Sequence, residues 1–215
     1  MLQIATPEYL QKNARMLVYA AAFIIACAAW LMYAKGFEVT PGASSAFGFL
    51  AFSFISLALA ASPIRALFPA WRYNAAYYMA RRALGVSGFV FAFLHYAAHP
   101  ILYFNGDFAF FLSATGDYAL WVWAGVAALA ALFLLAATST DWAVGKMGRR
   151  WFALQKLVYL AYPLIIAHAY SIGANFSGRG MNLFSGAFLA IAAATVLLEA
   201  ARAYAVFRKK ETASG

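Results

Sequence analysis

The side chains in this chain best able to hold a metal ion or exchange a proton near neutral pH are its three histidines, His95, His99 and His168. His95 and His99 are four residues apart, so on a helix they share a face one turn from each other. Both lie near the end of the stretch Arg81–Pro100, RRALGVSGFVFAFLHYAAHP, which is otherwise almost wholly apolar after its two arginines. His168 ends a second apolar run. An imidazole set deep in hydrocarbon is costly to place, which marks each of these positions as a functional-site candidate in need of a partner. Paired imidazoles from two helices can ligate a metal centre; single ones serve as proton relays or as hydrogen-bonded core residues.

The elements that must position them are membrane helices. Of the 215 residues, 66% are hydrophobic and only 11% charged, against about 45–50% and about 25% in ordinary soluble domains. Roughly 20 apolar residues are needed to span a bilayer, and six segments meet that requirement: about 16–34, 46–63, 83–103, 118–139, 154–172 and 183–207. The fold expected is an all-α six-helix membrane bundle forming a single domain over residues 1–215. The first residues, MLQIATPEYLQKNARM, are polar, and the apolar run after them is long enough to span, so no cleaved leader is expected.

Charge sets the orientation. Fourteen of the 16 Lys and Arg fall at the ends that alternate spans place on one side; only Lys35 and Arg179 fall on the other. By the positive-inside rule both termini are expected to be cytoplasmic. The same distribution explains the formal charge of +9 without a nucleic-acid partner, since the cations sit in short connections rather than in a basic stripe. Cys27 is the only cysteine, which excludes an intrachain disulfide and the paired-thiol attachment of a c-type haem.

Depth relates the histidines to one another. His95 lies 13 residues beyond Arg82, about 20 Å of helix rise, and His168 lies 18 beyond Arg150, about 27 Å. Both therefore reach the outer half of a core about 30 Å thick. Their spans run in the same direction, so the two imidazoles can meet across a haem, as inward-facing residues of bundles do. Histidines that merely hydrogen-bond a neighbour remain the alternative. His99, nearer the interface and just before Pro100, is the less suited to ligation and fits a supporting contact.

Other segments carry weaker signals. Trp121, Trp123, Trp142, Trp151 and Tyr170 are placed as interfacial aromatics. The outer loop 104–117, with Phe108, Phe110 and Phe111, suits the membrane interface. The segment 65–80, with Trp71, Tyr73, Tyr77 and Tyr78, suits a short helix on the inner surface. Glu199 and Arg202, three apart, read as an intrahelical pair. No glycine-rich dinucleotide fingerprint is present, so electrons, if carried, would come from a separate molecule.

The run from Leu135 to His168, LAATSTDWAVGKMGRRWFALQKLVYLAYPLIIAH, resembles the ferric reductase-like transmembrane family, and most closely its MsrQ (YedZ) branch of haem-binding subunits. Ser62-Pro63-Ile64-Arg65, Arg81-Arg82, Leu84-Gly85 and Leu94-His95 match as well, and the likeness spans roughly residues 60–172. The resemblance implies a b-type haem protein that carries electrons from a cytoplasmic flavin reductase or a membrane quinol to a periplasmic acceptor. In this branch the acceptor is a molybdopterin-containing reductase of oxidised methionine. It also implies that His95 and His168 ligate an outer haem.

One departure bears on haem number. Where the family has a histidine shortly after the tryptophan of span five, this chain has Gln155, and an amide is a poor iron ligand. On a straight helix Gln155 and His168 are about 140° out of phase, although Pro163 between them can alter that. Arg81 is in phase with His95 to within about 40° and offers a charge for a propionate or a headgroup. One haem is expected, with a quinone or flavin mononucleotide as the further redox partners to consider. A transmembrane ferric or cupric reductase is the alternative, although the outer loops offer only Glu38, Asp107 and Asp117 for a captured cation. A non-redox transporter or assembly factor is a third reading.

Overall fold

The structure is a computed structural model and describes residues 6–34, 42–103, 105–109, 113, 116–173, 176 and 182–214. Its helices are α1 (Pro7–Ala34), α2 (Gly42–Leu67), α3 (Asn74–Tyr103), α4 (Gly116–Ala137), α5 (Asp141–Met147), α6 (Arg149–Gln155), α7 (Val158–Ile172) and α8 (Leu183–Ser214). There is no strand among the described residues. Six stretches are long and apolar enough to cross a membrane, α6 and α7 together supplying the fifth. They coincide with the six spans expected from sequence, most of them extended by several residues at their charged ends. Lys35, Arg179, Glu38, Phe110 and Phe111 lie outside the described residues.

Helix α2 is the axis of the bundle. More than half of its apolar window (56%) is buried, against 6% for α1, so α1 sits at the rim and presents Phe23, Ile24 and Trp30 outward. Along one side α2 packs on α3, and along the other on α8, while α4 packs on α7 and α1 on α3. Close approach of α2 and α3 depends on a small residue, because a Cβ at Gly88 would stand 2.6 Å from Ile55 Cδ1. One core cluster gathers Phe52, Ile55, Leu132, Tyr162 and Phe188; the other gathers Phe47, Phe54, Leu84 and Phe91. Phe52 stacks between Phe188, at 3.9 Å between ring centres, and Tyr162, at 5.6 Å. Ser56 Oγ donates to Phe52 O, so the Tyr162 hydroxyl, 2.8 Å away, donates to Ser56 Oγ and ties α7 to α2.

The connection from α2 to α3 corrects one expectation. Residues 65–80 do not form a surface helix: Arg65 still belongs to α2, residues 68–73 turn, and α3 begins at Asn74. Pro69 cannot extend α2, and the buried Asn74 amide donates to Phe68 O at 2.7 Å, capping the end of α2 from the start of α3.

The approach to α7 is broken twice. Thr140 caps α5 by accepting from the Ala143 N–H, and Gly148, at φ +52°, makes the corner into α6 in a conformation that side chains disfavour. Between α6 and α7 the N–H groups of Lys156, Leu157, Tyr159 and Leu160 each reach back three residues. That is a stretch of tighter 3₁₀ winding, lying just before Pro163. Each residue so wound advances about 20° further than in an α-helix, and four of them narrow the offset between Gln155 and His168 from about 140° to about 60°. Both side chains are thereby turned into the bundle.

Trp151, expected at the interface, is instead 3% exposed, and its indole N–H donates to Thr138 O at 2.9 Å. It holds α6 against the end of α4. Trp151→Phe deprives that carbonyl of its indole donor, and a loss of about 1 kcal/mol is expected, to be read as a lowered melting temperature in detergent.

Arg15 of α1 and Arg82 of α3 converge on Asp141 of α5. Hydrogen bonds from Arg82 first, and then from Arg15, hold the Asp141 carboxyl below the usual carboxylate range. The cluster therefore persists from neutral pH downward until the pH falls through that lowered value. The carboxylate is open to solvent, so the pairs orient three helix ends rather than stabilise them strongly.

Candidate functional site

The two candidate ligands come from α3 and α7, and each leans against a different neighbour. His95 of α3 faces α2, where its Nδ1 lies 2.8 Å from Ser44 O. His168 of α7 faces α4, where its Nδ1 lies 2.8 Å from Trp121 O. A backbone carbonyl can only accept, so Nδ1 carries the proton in both rings. That leaves both Nε2 lone pairs free, and no hydrogen bond reaches either Nε2 from the described residues. The proton distribution is the one that metal-ligating histidines adopt.

The same device on α2 and α4 produces this twice. Four residues after each accepting carbonyl comes a glycine: Gly48 after Ser44, and Gly125 after Trp121. In an α-helix the side chain of residue i+4 tilts back over the carbonyl of residue i. With no side chain there, the carbonyl's second lone pair is open to an imidazole. A Cβ at Gly125 would stand 2.6 Å from His168 Nδ1, and one at Gly48 would stand 3.1 Å from His95 Nδ1. These glycines were missed by sequence reasoning; glycines inside apolar helical runs were the available signal.

The imidazole rings face each other with centres 6.0 Å apart and planes at 81°. A metal–imidazole bond is about 2 Å long and a ring centre lies roughly 1 Å beyond its nitrogen, so two rings on opposite sides of one ion are about 6 Å apart. The observed spacing of the ring centres matches that of two imidazoles sharing one metal. Around them lies a cavity of about 360 Å³ walled largely by apolar residues, among them Phe49, Phe52, Phe184 and Phe188. Such a cavity is of the size and polarity that cofactor sites have. His99 lines it too, one turn beyond His95.

Arg81 and Gln155 are placed elsewhere. Both line a second cavity nearer the cation-rich end, together with Arg82, Tyr159 and Arg202. There Arg202 pairs with Glu199 at 2.6 Å, as the sequence spacing implies, and its guanidinium also reaches the Tyr159 hydroxyl at 3.0 Å. The two cavities back onto each other at Ile55 and Leu132, which line both.

Comparison with known proteins gives the chain a family. The family model described as ferric reductase like transmembrane component matches residues 47–166. A protein of Brucella anthropi named protein-methionine-sulfoxide reductase heme-binding subunit MsrQ is 34% identical over 152 residues, 61% of this chain and 65% of that protein. Subunits of the same name from Brucella ovis and Brucella canis are each 31% identical over 203 residues, 90% of this chain and 84% of theirs. No solved structure matches.

Proposed function

This chain belongs to the ferric reductase like transmembrane component family, and on that premise we propose that it is a haem-binding electron-transfer subunit with one b-type haem between His95 and His168. The observation that carries the reading is the pair of imidazoles at 6.0 Å, each with Nδ1–H committed to a backbone carbonyl. Haem iron with two histidine ligands supplies one-electron exchange and keeps no open position for other chemistry.

The chain's own residues supply the rest. Ser44 O and Trp121 O fix the ring orientations and make each Nε2 a stronger donor. Phenylalanines of the cavity exclude water from the metal position, and His99 adds a polar group at its edge. Among the described residues, the second cavity offers no histidine, cysteine or methionine, which supports a single haem. Electrons then arrive from a cytoplasmic flavin reductase or a membrane quinol. They leave for a periplasmic methionine sulfoxide reductase subunit carrying molybdopterin, with both termini of this chain in the cytoplasm of a bacterial cell. The named relatives and the distribution of Lys and Arg support this direction.

Spectroscopy of the protein purified after haem-replete expression tests the proposal. A Soret band that shifts on dithionite reduction is expected, with one haem per chain by the pyridine haemochrome method. Two haems per chain would refute the single site, and no Soret band at all would end the redox reading. For the acceptor, co-purification with the product of a neighbouring gene for a secreted molybdopterin oxidoreductase is the expected result.

A further inference from the structure

The second cavity, also about 360 Å³, has walls of an unusual kind. Arg81, Arg82, Lys156 and Arg202 line it, and among the described residues no Asp or Glu does. Arg82 and Arg202 have carboxylate partners in Asp141 and Glu199. Arg81 and Lys156 make no ion pair among the described residues, so two positive charges at the cavity are uncompensated. Among the described residues, Arg81 reaches only the Ser62 hydroxyl, at 3.4 Å, and the face of Tyr78.

A second observation points to the same kind of occupant. Three buried N–H donors of residues lining this cavity lack any hydrogen-bond partner: Arg82 Nε, Arg202 Nε and Gln155 Nε2. Buried donors are nearly always paired in native proteins. Unmet donors beside surplus positive charge call for a ligand that brings oxygen acceptors and a negative charge. The deeper wall is hydrocarbon, with Leu59, Leu132 and Val158, so the ligand also has an apolar body. Basic pockets between membrane helices at the cytoplasmic side take lipid headgroups for these reasons.

We propose that this cavity is an oxyanion site that takes the phosphate of an anionic phospholipid, with the acyl chains against the apolar wall. Gln155, where the family ligand histidine is absent, then serves as a neutral phosphate donor rather than as a metal ligand. The site is separate from the histidine pair, and the proposal does not depend on what that pair holds.

Native mass spectrometry of the delipidated full chain, titrated with phosphatidylglycerol or phosphatidylcholine, tests it. A Lys or Arg near the membrane surface adds about fivefold to anionic lipid affinity, so R81Q/K156Q is expected to lower phosphatidylglycerol binding roughly thirtyfold. Phosphatidylcholine binding should hardly change. Q155L, which keeps every charge, is expected to weaken phosphatidylglycerol binding by a smaller factor, and R81K/K156R to retain it. Monodispersity and helical circular dichroism establish that each variant is folded; if R81Q/K156Q is not, Q155L and R81K/K156R carry the test. Equal binding of the two lipids by the wild type would overturn the proposal. So would a phosphatidylglycerol preference untouched by R81Q/K156Q and Q155L. Displacement of the lipid by millimolar inorganic phosphate would equally overturn it, by assigning the site to a free anion.

Discussion

His168→Ala is expected to leave less than about a tenth of the wild-type haem on the purified protein, and His95→Ala to do the same. Each ring would supply one of the two ligands of the proposed haem, and its Nε2 is free because Nδ1–H is engaged by Trp121 O or Ser44 O. Alanine at either place would remove one of the two proposed ligands. His99 lines the cavity but lies one turn beyond His95, and His99→Ala is expected to keep most of the haem. The ratio of Soret to protein absorbance, measured on monodisperse material, decides between these outcomes. Free imidazole added during expression should restore part of the haem to His168→Ala, since it can fill the vacated position. Loss of haem in His99→Ala with retention in His95→Ala would reverse the assignment.

The second large effect is expected from a residue that touches no metal. Gly125→Ala puts a Cβ 2.6 Å from His168 Nδ1 and 2.7 Å from Cε1, closer than atoms can stand. The ring must move, and the Trp121 carbonyl is covered by the new methyl group. Partners of this kind typically weigh 10–100-fold in metal affinity, so a haem loss of about that size is expected. Crowding of the core adds about 1–3 kcal/mol of destabilisation. Gly48→Ala meets His95 at 3.1 and 3.3 Å, where a shift of a few tenths of an ångström relieves the contact, and its effect should be clearly smaller. Haem dissociation measured by transfer to apomyoglobin ranks the two. Equal retention by both variants would show that the glycines are only packing residues.

Much of this was legible in the residues themselves. Six apolar runs, punctuated by cations, announced the bundle, and counting helix rise from Arg82 and Arg150 brought His95 and His168 to one depth. Their spans run in the same direction, and so the rings meet. What could not be read was anything that depends on which face of one helix opposes another. Gly48 and Gly125 are plain in the sequence, but their use lies in exposing a carbonyl to a ring from a different helix. Arg81 stands out by its helical phase with His95 and Gln155 by its place in the family resemblance, yet their company in the second cavity includes Arg202, from a helix far along the chain. Trp151 was taken for an interfacial ring because its indole partner, Thr138 O, is a backbone atom and leaves no mark in composition. The 3₁₀ stretch before Pro163 likewise rotates Gln155 in a way that ideal helix geometry does not anticipate.

The shared wall of Ile55 and Leu132 has a consequence for the membrane's energy store. Two internal spaces lie on either side of these two apolar side chains, which line both. Hydrocarbon in that wall gives protons and metal cations no hydrogen-bonded or charged path. Electrons can cross such a barrier by tunnelling, without any opening. Every ion that leaked through would dissipate about 2.3 kcal/mol per 100 mV of transmembrane voltage. On the proposed function, the bundle would conduct electrons while insulating against ions.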